Sequence, residues 1–311
     1  MSDLFCDRLL SAIDRTGAPI CVGIDPVLSS LPDSVRGKFA SSENDSEAAV
    51  DAIFDFTTRL LKIVAGHVPI VKFQSAFFEQ YLWEGVEAYY SLIEEARDLG
   101  LLTIGDVKRG DIGTTASAYA AAHLEDRSGE DEQAATPDAI TVNPMQGLDT
   151  LQPFLQTARG AGKGLFVLVR TSNPGSAELQ DVKLATGETW SEMLAGKLNA
   201  LALEPGLMGS RGYSSVGAVV GATQPHTMLS LRKLLPKSIF LLPGYGAQGA
   251  TAEMTRAAFV NGKGAIVSAS RSILYAHKEA KYSARFGNDW EKCVEAAVAD
   301  MKEDVSRVVG G

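Results

Sequence analysis

Residues 104–115 of the chain read Ile-Gly-Asp-Val-Lys-Arg-Gly-Asp-Ile-Gly-Thr-Thr, and they continue a short apolar run. This run predicts a buried strand that ends near Asp106 and Lys108. Because residues two apart on a strand point to the same side, a carboxylate and an ammonium group are expected to leave this strand end together. Asp111 follows in a glycine-containing turn, and the Ala-rich residues 114–125 predict a helix.

The alternation of charges in this stretch has two interpretations. An Asp–Lys pair at a strand end can simply hold a loop to the strand. In the other interpretation, Lys108 lies between Asp106 and Asp111, keeps its proton, and the carboxylates repel any further anion placed beside them. That arrangement suits a site that destabilises a substrate carboxylate and then donates a proton.

The same order of strand and helix recurs along the whole chain. Continuous apolar runs are typical of parallel strands that are covered on both faces. Such runs occupy residues 19–24, 68–73, 101–107, 138–143, 164–169, 216–220, 238–242 and 264–268. Apolar residues at helical spacing or helix-favouring composition predict helices over 3–15, 46–65, 84–99, 114–125, 148–158, 188–202, 225–235, 250–260 and 288–308.

About eight strand–helix units in 311 residues predict one α/β domain over residues 1–311, a (β/α)8 or TIM barrel. The first helix is expected to plug or flank the core, and loop insertions are expected near 27–45, 171–187 and 203–214. In such barrels the chemistry takes place at the carboxyl ends of the strands. The polar residues expected there are Asp25, Lys72, Asp106, Lys108, Asn143, residues 170–173, Gln224, Gln248 and Arg271.

Composition limits the class of protein and of partner. Hydrophobic residues make up 45% and charged residues 22%, which is ordinary for a globular chain with a real core. The net charge of −9 argues against nucleic acid or an anionic membrane as the main partner. Three widely spaced cysteines and four scattered histidines predict neither a disulfide framework nor a metal site. Together with the lack of a signal-like or membrane-spanning run, these features predict a cytoplasmic protein.

Two glycine-rich stretches resemble nucleotide-binding motifs. Residues 243–249, Pro-Gly-Tyr-Gly-Ala-Gln-Gly, contain the G-x-G-x-x-G pattern of dinucleotide sites, in which Arg271 would contact the extra phosphate of NADP. A barrel offers another interpretation, because the loops after its seventh and eighth strands commonly bind phosphate. Backbone N–H groups of residues 246–249, the Gln248 amide and the Arg271 guanidinium would then bind the anion. Residues 159–164 precede their strand and so do not form a Walker loop.

Residues 106–116 match the pattern D-x-K-R-G-D-I-G-x-T-A at every fixed position. In this motif the chain resembles the orotidine 5′-monophosphate decarboxylase family, in the longer of its two sequence types (type 2). Further matching segments follow in order from about residue 10 to 300. They are Val-Gly-Ile-Asp-Pro at 22–26, Val-Lys-Phe-Gln at 71–74, Thr-Ser-Asn-Pro-Gly at 171–175, the glycine-rich loop at 243–249, and Ser-Arg at 270–271.

The resemblance implies a barrel enzyme that converts orotidine 5′-monophosphate to UMP in de novo pyrimidine biosynthesis, with neither a cofactor nor a metal. Lys108 would stabilise the carbanion at ring carbon C6 and then protonate it. The catalytic array implied by the family consists of Lys72, Asp106, Lys108 and Asp111.

The resemblance also implies a homodimer with shared active sites. In the family, the last aspartate of the array reaches the site of the neighbouring subunit. Asp111, Ile112 and Thr115 would therefore act across the dimer.

Four further residues match substrate-binding positions of the family. Asp25 resembles the ribose contact, and Ser172 resembles the serine that contacts the amide edge of the pyrimidine. Gln248 and Arg271 resemble the residues that bind the phosphate. The alternative is a magnesium-dependent sugar-phosphate decarboxylase or aldolase on the same barrel, which would need an acidic ligand near the second strand, where this chain has Lys72.

Overall fold

The apolar runs form eight parallel strands that close into a barrel, as a computed structural model shows; it describes residues 3–39, 46–128, 133–246 and 249–309. Each strand pairs with the next in chain order, and the first pairs with the last. The predicted (β/α)8 barrel is therefore confirmed. The strands are β1 Ile20–Ile24, β2 Ile70–Gln74, β3 Leu102–Arg109, β4 Ala139–Val142, β5 Gly164–Arg170, β6 Ser214–Val220, β7 Ser238–Pro243 and β8 Ala265–Ala269.

Helices connect these strands and cover the outside of the barrel. They are α1 Phe5–Thr16, α2 Asp33–Phe39, α3 Ser46–Val64, α4 Ala76–Glu79, α5 Leu82–Asp98, α6 Gly113–Leu124, α7 Gln152–Ala161, α8 Ser176–Gln180, α9 Trp190–Ala202, α10 Pro225–Leu234, α11 Ala252–Thr255, α12 Arg271–Leu274, α13 Ala280–Phe286 and α14 Trp290–Val309. Short 3₁₀ turns and a small hairpin of residues 127–128 and 133–134 complete the described elements.

Helix α1 closes the amino end of the barrel. Phe5, Cys6 and Leu9 belong to the apolar cluster that fills the barrel interior, to which every strand contributes. The Phe5 and Phe166 rings pack edge to face with centroids 5.9 Å apart. The helix therefore plugs the core, and only the carboxyl end of the barrel is left for chemistry.

Three predicted segments differ from the structure. The stretch near 27–45 contains α2, which buried Val35 anchors, and residues 40–45 lie outside the described residues. The stretch 171–187 contains α8, a single turn that a composition rich in Ser, Asn and Gly does not indicate. The helix predicted over 250–260 is wrong in length, since α11 ends at Thr255 and a 3₁₀ turn follows it.

No helix within the described ranges is both long enough and apolar enough to span a membrane.

Candidate active site

Three charged side chains meet at the carboxyl ends of β2 and β3. The Lys72 ammonium lies 2.7 Å from Oδ2 of Asp106, and the Lys108 ammonium lies 2.6 Å from Oδ1. Lys72 and Asp106 are buried, whereas the Lys108 side chain is 45% exposed toward the barrel mouth. The sequence prediction that Asp106 and Lys108 leave one strand end together is confirmed.

Two neutral side chains complete the shell around the Asp106 carboxylate. The Gln74 amide donates to Oδ2 over 3.1 Å, and the Thr141 hydroxyl donates to Oδ1 over 2.9 Å. Each carboxylate oxygen thus accepts one hydrogen bond from an ammonium group and one from an uncharged donor. A carboxylate held by four donors, two of them charged, has a fixed orientation.

The electrostatic environment keeps Asp106 and Lys72 ionised. Burial by itself would raise the pKa of Asp106, but the ammonium groups of Lys72 and Lys108 hold that pKa well below its usual range. Burial would lower the pKa of Lys72, yet Asp106 and Asp25 raise it above the ordinary lysine value. Burial also raises the pKa of the neighbouring Cys21 thiol to about 12, so this cysteine is neutral at physiological pH.

A β-bulge, rather than simple alternation, directs Lys108 into the site. Gly105 pairs with Ile140 and Arg109 with Val142, so β3 has two more residues than β4 across this interval. Lys108 adopts φ 46°, a left-handed conformation that costs a residue other than glycine about 1–3 kcal/mol. The alternation rule therefore predicted the right contact, but the contact is formed by a strained backbone.

Asp25 lies at the edge of the array, with its Oδ1 atom 4.0 Å from the Lys72 ammonium. That oxygen is buried and has no hydrogen-bond partner among the described residues. The backbone at this point is held by the Tyr275 hydroxyl, which donates to the Asp25 carbonyl and accepts from the Val27 N–H. The arrangement leaves a buried carboxylate oxygen without a hydrogen bond at the edge of the array.

The turn after β3 contains the second half of the motif, residues 110–116, which forms no hydrogen bond or ion pair with this array where the chain is described. At Gly110 a Cβ atom would lie 2.5 Å from the Asn143 carbonyl oxygen, so only glycine fits there. Beyond it, Asp111 accepts a hydrogen bond from the Ile112 N–H and forms no ion pair within the described part of the chain. Thr115 and Ile112 are exposed, and the Ile112 side chain is 63% exposed. The expectation that Asp111 flanks Lys108 within one chain is therefore wrong.

The loop after β5 is held by a buried arginine. The Arg170 guanidinium binds both carboxylate oxygens of Asp181, at 2.8 and 2.9 Å, and also donates to the Thr171 carbonyl and the Ser176 hydroxyl. Ser172 lies between these contacts and packs against Gly221, where a Cβ atom would come within 3.1 Å of its Cα. Ser172 is thus in a restrained loop at the barrel mouth.

The glycine-rich loop after β7 agrees only in part with its predicted role. The N–H groups of Gly246 and Gly249 donate within the loop, to Ala250 and to Gly246 respectively, so these two donors are not available to an anion. Gln248 lies outside the described residues. Arg271 is exposed at the start of α12 and forms no ion pair in the ranges that the structure describes. The closed barrel excludes the Rossmann-type interpretation of the G-x-G-x-x-G pattern, which belongs to an open doubly wound sheet.

Three residues shape the site without having been predicted from the sequence. They are Gln74, Thr141 and Tyr275. Gln74 follows Lys72 by two residues, so strand alternation could have placed it on the same face. Thr141 is a polar residue inside an apolar strand, which is a weaker signal. Nothing in the sequence marks Tyr275, whose contact to Asp25 spans 250 positions.

The sequence model of the Orotidine 5′-phosphate decarboxylase / HUMPS family matches residues 19–286. The chain belongs to this family. Among its relatives, the orotidine 5′-phosphate decarboxylase of Rhodopirellula baltica is 43% identical over 306 residues, which cover 97% of this chain and 98% of the relative. The enzyme of the same name from Caldicellulosiruptor bescii is 37% identical, with coverage of 98% and 99%.

Solved structures of this family share the fold. The OMP decarboxylase of Leishmania donovani superposes with a TM-score of 0.71 at 27% identity, and the match covers 99% of both chains. The UMP synthase of the same organism superposes with a TM-score of 0.73 at 28% identity, but the match covers only 57% of that longer chain. The family's barrel is thus found both alone and as part of a larger protein.

Proposed function

We propose that the chain decarboxylates orotidine 5′-monophosphate to UMP in pyrimidine biosynthesis, with no cofactor or metal. The observation that carries this proposal is the array of Lys72, Asp106 and Lys108 at the mouth of a barrel of this family. The named relatives are orotidine 5′-phosphate decarboxylases over nearly their full length, which supports the same substrate here.

The array divides the chemistry between its members. The Asp106 carboxylate repels the substrate carboxylate, the bond from C6 to the carboxyl carbon breaks, and CO2 leaves. The electron pair stays on C6, which the Lys108 ammonium stabilises and then protonates, so that Lys108 becomes a neutral amine and regains its proton from water. Lys72 keeps Asp106 ionised throughout.

The sizes of the effects decide which contribution is larger. Two like charges 4 Å apart repel by about 4 kcal/mol at an effective dielectric constant near 20. Enzymes lower barriers by roughly 8–23 kcal/mol, and a carbanion without delocalisation belongs to the upper part of this range. The larger share is therefore assigned to stabilisation of developing charge by Lys108, with binding energy from the remote phosphate closing the site.

The remaining positions bind the parts of the substrate that do not react. The unsatisfied oxygen of Asp25 suits a ribose hydroxyl, which would donate the missing hydrogen bond. Ser172 suits the amide edge of the pyrimidine, and the exposed Arg271 suits the phosphate, together with Gln248. These assignments come from the family resemblance.

A homodimer would complete the site. Asp111 forms no ion pair with the array in the described part of its own chain, Ile112 and Thr115 are exposed, and large apolar side chains are exposed near this end of the barrel. Trp83 is 72% and Met145 57% exposed, in segments that follow β2 and β4. A second copy covering this surface would bring its Asp111 to the array.

The three cysteines are free and buried, which supports a reducing compartment such as the cytoplasm.

The test is to mix the purified protein with orotidine 5′-monophosphate and follow the loss of substrate absorbance. Conversion to UMP, identified by chromatography, is the expected result. Absence of turnover by a folded dimeric protein would overturn the proposal. Full activity after dialysis against EDTA separates it from the magnesium-dependent sugar-phosphate alternative, which Lys72 already disfavours because it stands where an acidic ligand is required.

A further inference from the structure

The β-bulge of β3 leaves the backbone N–H of Lys108 without the strand carbonyl that a regular β-ladder would have supplied. Across this interval β4 contributes a single residue, Thr141, opposite residues 106–108. The N–H of Lys108 donates to the Thr141 hydroxyl oxygen over 2.9 Å. The hydroxyl thus takes the place of a strand carbonyl, at the residue whose φ of 46° turns its side chain into the site.

The same hydroxyl also donates a hydrogen bond. A threonine hydroxyl has one donor and two acceptor positions, and here the donor goes to Oδ1 of Asp106 over 2.9 Å. Oδ1 is also the oxygen that binds the Lys108 ammonium. One buried atom therefore connects the Asp106 carboxylate to the backbone of Lys108, in addition to their direct ion pair.

We propose that Thr141 is a positioning residue of the active site, which holds the Asp106 carboxylate and the Lys108 backbone in their reactive arrangement. This inference rests on the proposed function, because it assigns Asp106 and Lys108 their roles. Thr141 is 1% exposed behind the array, so its effect acts through these two neighbours and not through substrate.

Three variants test the inference. Thr141→Val keeps the shape of the side chain but removes the hydroxyl, while Thr141→Ser keeps the hydroxyl. The control is Thr103→Val at the opposite end of β3. Thr103 is equally buried, and its hydroxyl similarly donates to the Asp138 carboxylate and accepts the Asp138 N–H.

The expected result is a fall in kcat on the order of 100-fold for Thr141→Val, since small displacements of catalytic groups have effects of this size. KM for orotidine 5′-monophosphate should stay within about threefold, because the interaction acts on the chemical step. Thr141→Ser should restore kcat to within about threefold of the wild type. Thr103→Val should lower the melting temperature and leave kcat unchanged.

Hydrogen–deuterium exchange of the Lys108 amide gives a readout that does not depend on turnover. Loss of the Thr141 acceptor should make this amide exchange faster in Thr141→Val, but not in Thr103→Val. Unchanged kcat in Thr141→Val, or equal losses in Thr141→Val and Thr141→Ser, would overturn the inference. If the wild type itself does not turn over the substrate, the proposed function fails, and the exchange experiment still decides whether Thr141 holds Lys108.

Discussion

The backbone of Lys108 combines two requirements that conflict. Its left-handed φ of 46° is a conformation that glycine adopts easily, yet the site needs the ammonium group that glycine lacks. The strain persists because surrounding contacts fix the residue, namely the ion pair to Asp106 and the hydrogen bond to Thr141. Strain of this kind concentrates at functional sites, which agrees with the role proposed for this lysine.

Lys108→Ala should abolish nearly all turnover while the protein still folds and binds UMP. Alanine keeps the Cβ atom and the backbone hydrogen bond to Thr141, whereas the ion pair to Asp106 is lost with the rest of the side chain. Loss of charge stabilisation and of the proton donor should reduce kcat by about 10⁴-fold. Steady-state kinetics and calorimetric titration with UMP measure the two effects.

The matched control for this variant is Lys62→Ala, which removes a surface ion pair to Glu95 at 3.5 Å. It should leave both turnover and UMP binding unchanged. Substantial activity in Lys108→Ala would contradict the proposed proton donor.

Sequence reasoning at this scale found the charged residues but not their geometry. The residue types and the two-residue repeat of side-chain direction along a strand were enough to predict that Asp106 and Lys108 lie together. The bulge could not be predicted in this way, because it is a property of the register between β3 and β4 and not of either strand alone. Thr141 was missed for the same reason.

At the scale of elements, the loop after β5 depends on the partly buried ion pair between Arg170 and Asp181. Asp181→Asn should loosen this loop, because residue 181 then offers the Arg170 guanidinium one neutral acceptor in place of two carboxylate oxygens. Since Asp181 is partly exposed, the expected loss in the free energy of unfolding is about 1–2 kcal/mol. KM should rise roughly tenfold through displacement of Ser172, with a smaller change in kcat.

Chemical denaturation and steady-state kinetics measure these effects. The control is Asp14→Asn, which breaks the Asp14–Arg211 ion pair on the α1 side of the barrel and should leave KM unchanged. An unchanged KM in Asp181→Asn would mean that the loop does not depend on this pair.

Helix α6 introduces a pH dependence of stability through His123. Burial, with a further contribution from Arg109, lowers the pKa of His123 to about 4. Between the unfolded value near 6.5 and this value, the unfolded chain binds a proton that the folded chain does not. Stability should therefore fall as pH decreases through this window, by about 2 kcal/mol between pH 8 and pH 5 from this residue alone.

His123→Gln should remove this part of the pH dependence, since glutamine does not titrate. Urea denaturation at pH 8 and pH 5 measures the difference, and exposed His226→Gln serves as the control. The same decrease in His123→Gln as in the wild type would assign the effect to other groups.

Prediction of elements succeeded where apolar spacing was long and regular. Helix α3 was expected over 46–65 and observed at Ser46–Val64, because its apolar face repeats over five turns. The single turn of α8 has no such repeat and is stabilised by the Arg170 guanidinium, which donates to the Ser176 hydroxyl six residues later. Short elements of this kind depend on particular side-chain contacts, which apolar spacing does not reveal.

For the whole molecule, eight apolar strand runs were sufficient to predict a closed barrel, since each run must be covered on both faces. Assembly was not predictable from these patterns. The exposure of Ile112, Trp83 and Met145 becomes visible only once the fold places them at the barrel mouth. The shared active site therefore came from the family resemblance and stays a prediction.

Mixing two inactive variants tests the shared site directly. Lys108→Ala damages the array of its own chain, whereas Asp111→Ala damages the site of the partner. A mixed dimer then contains one site in which both residues are present and one in which both are missing. Random exchange of subunits should restore about a quarter of wild-type turnover, because about half of the dimers are mixed and each has one complete site.

The control is a mixture of Lys108→Ala and Asp106→Asn. These two positions belong to the same array, so every site in their mixed dimer is defective and no activity should return. Subunit exchange is verified by native mass spectrometry of protomers labelled with heavy nitrogen. No recovery in the first mixture, despite verified exchange, would mean that Asp111 acts within its own chain, and the array would then have to be completed by a movement of the turn after β3.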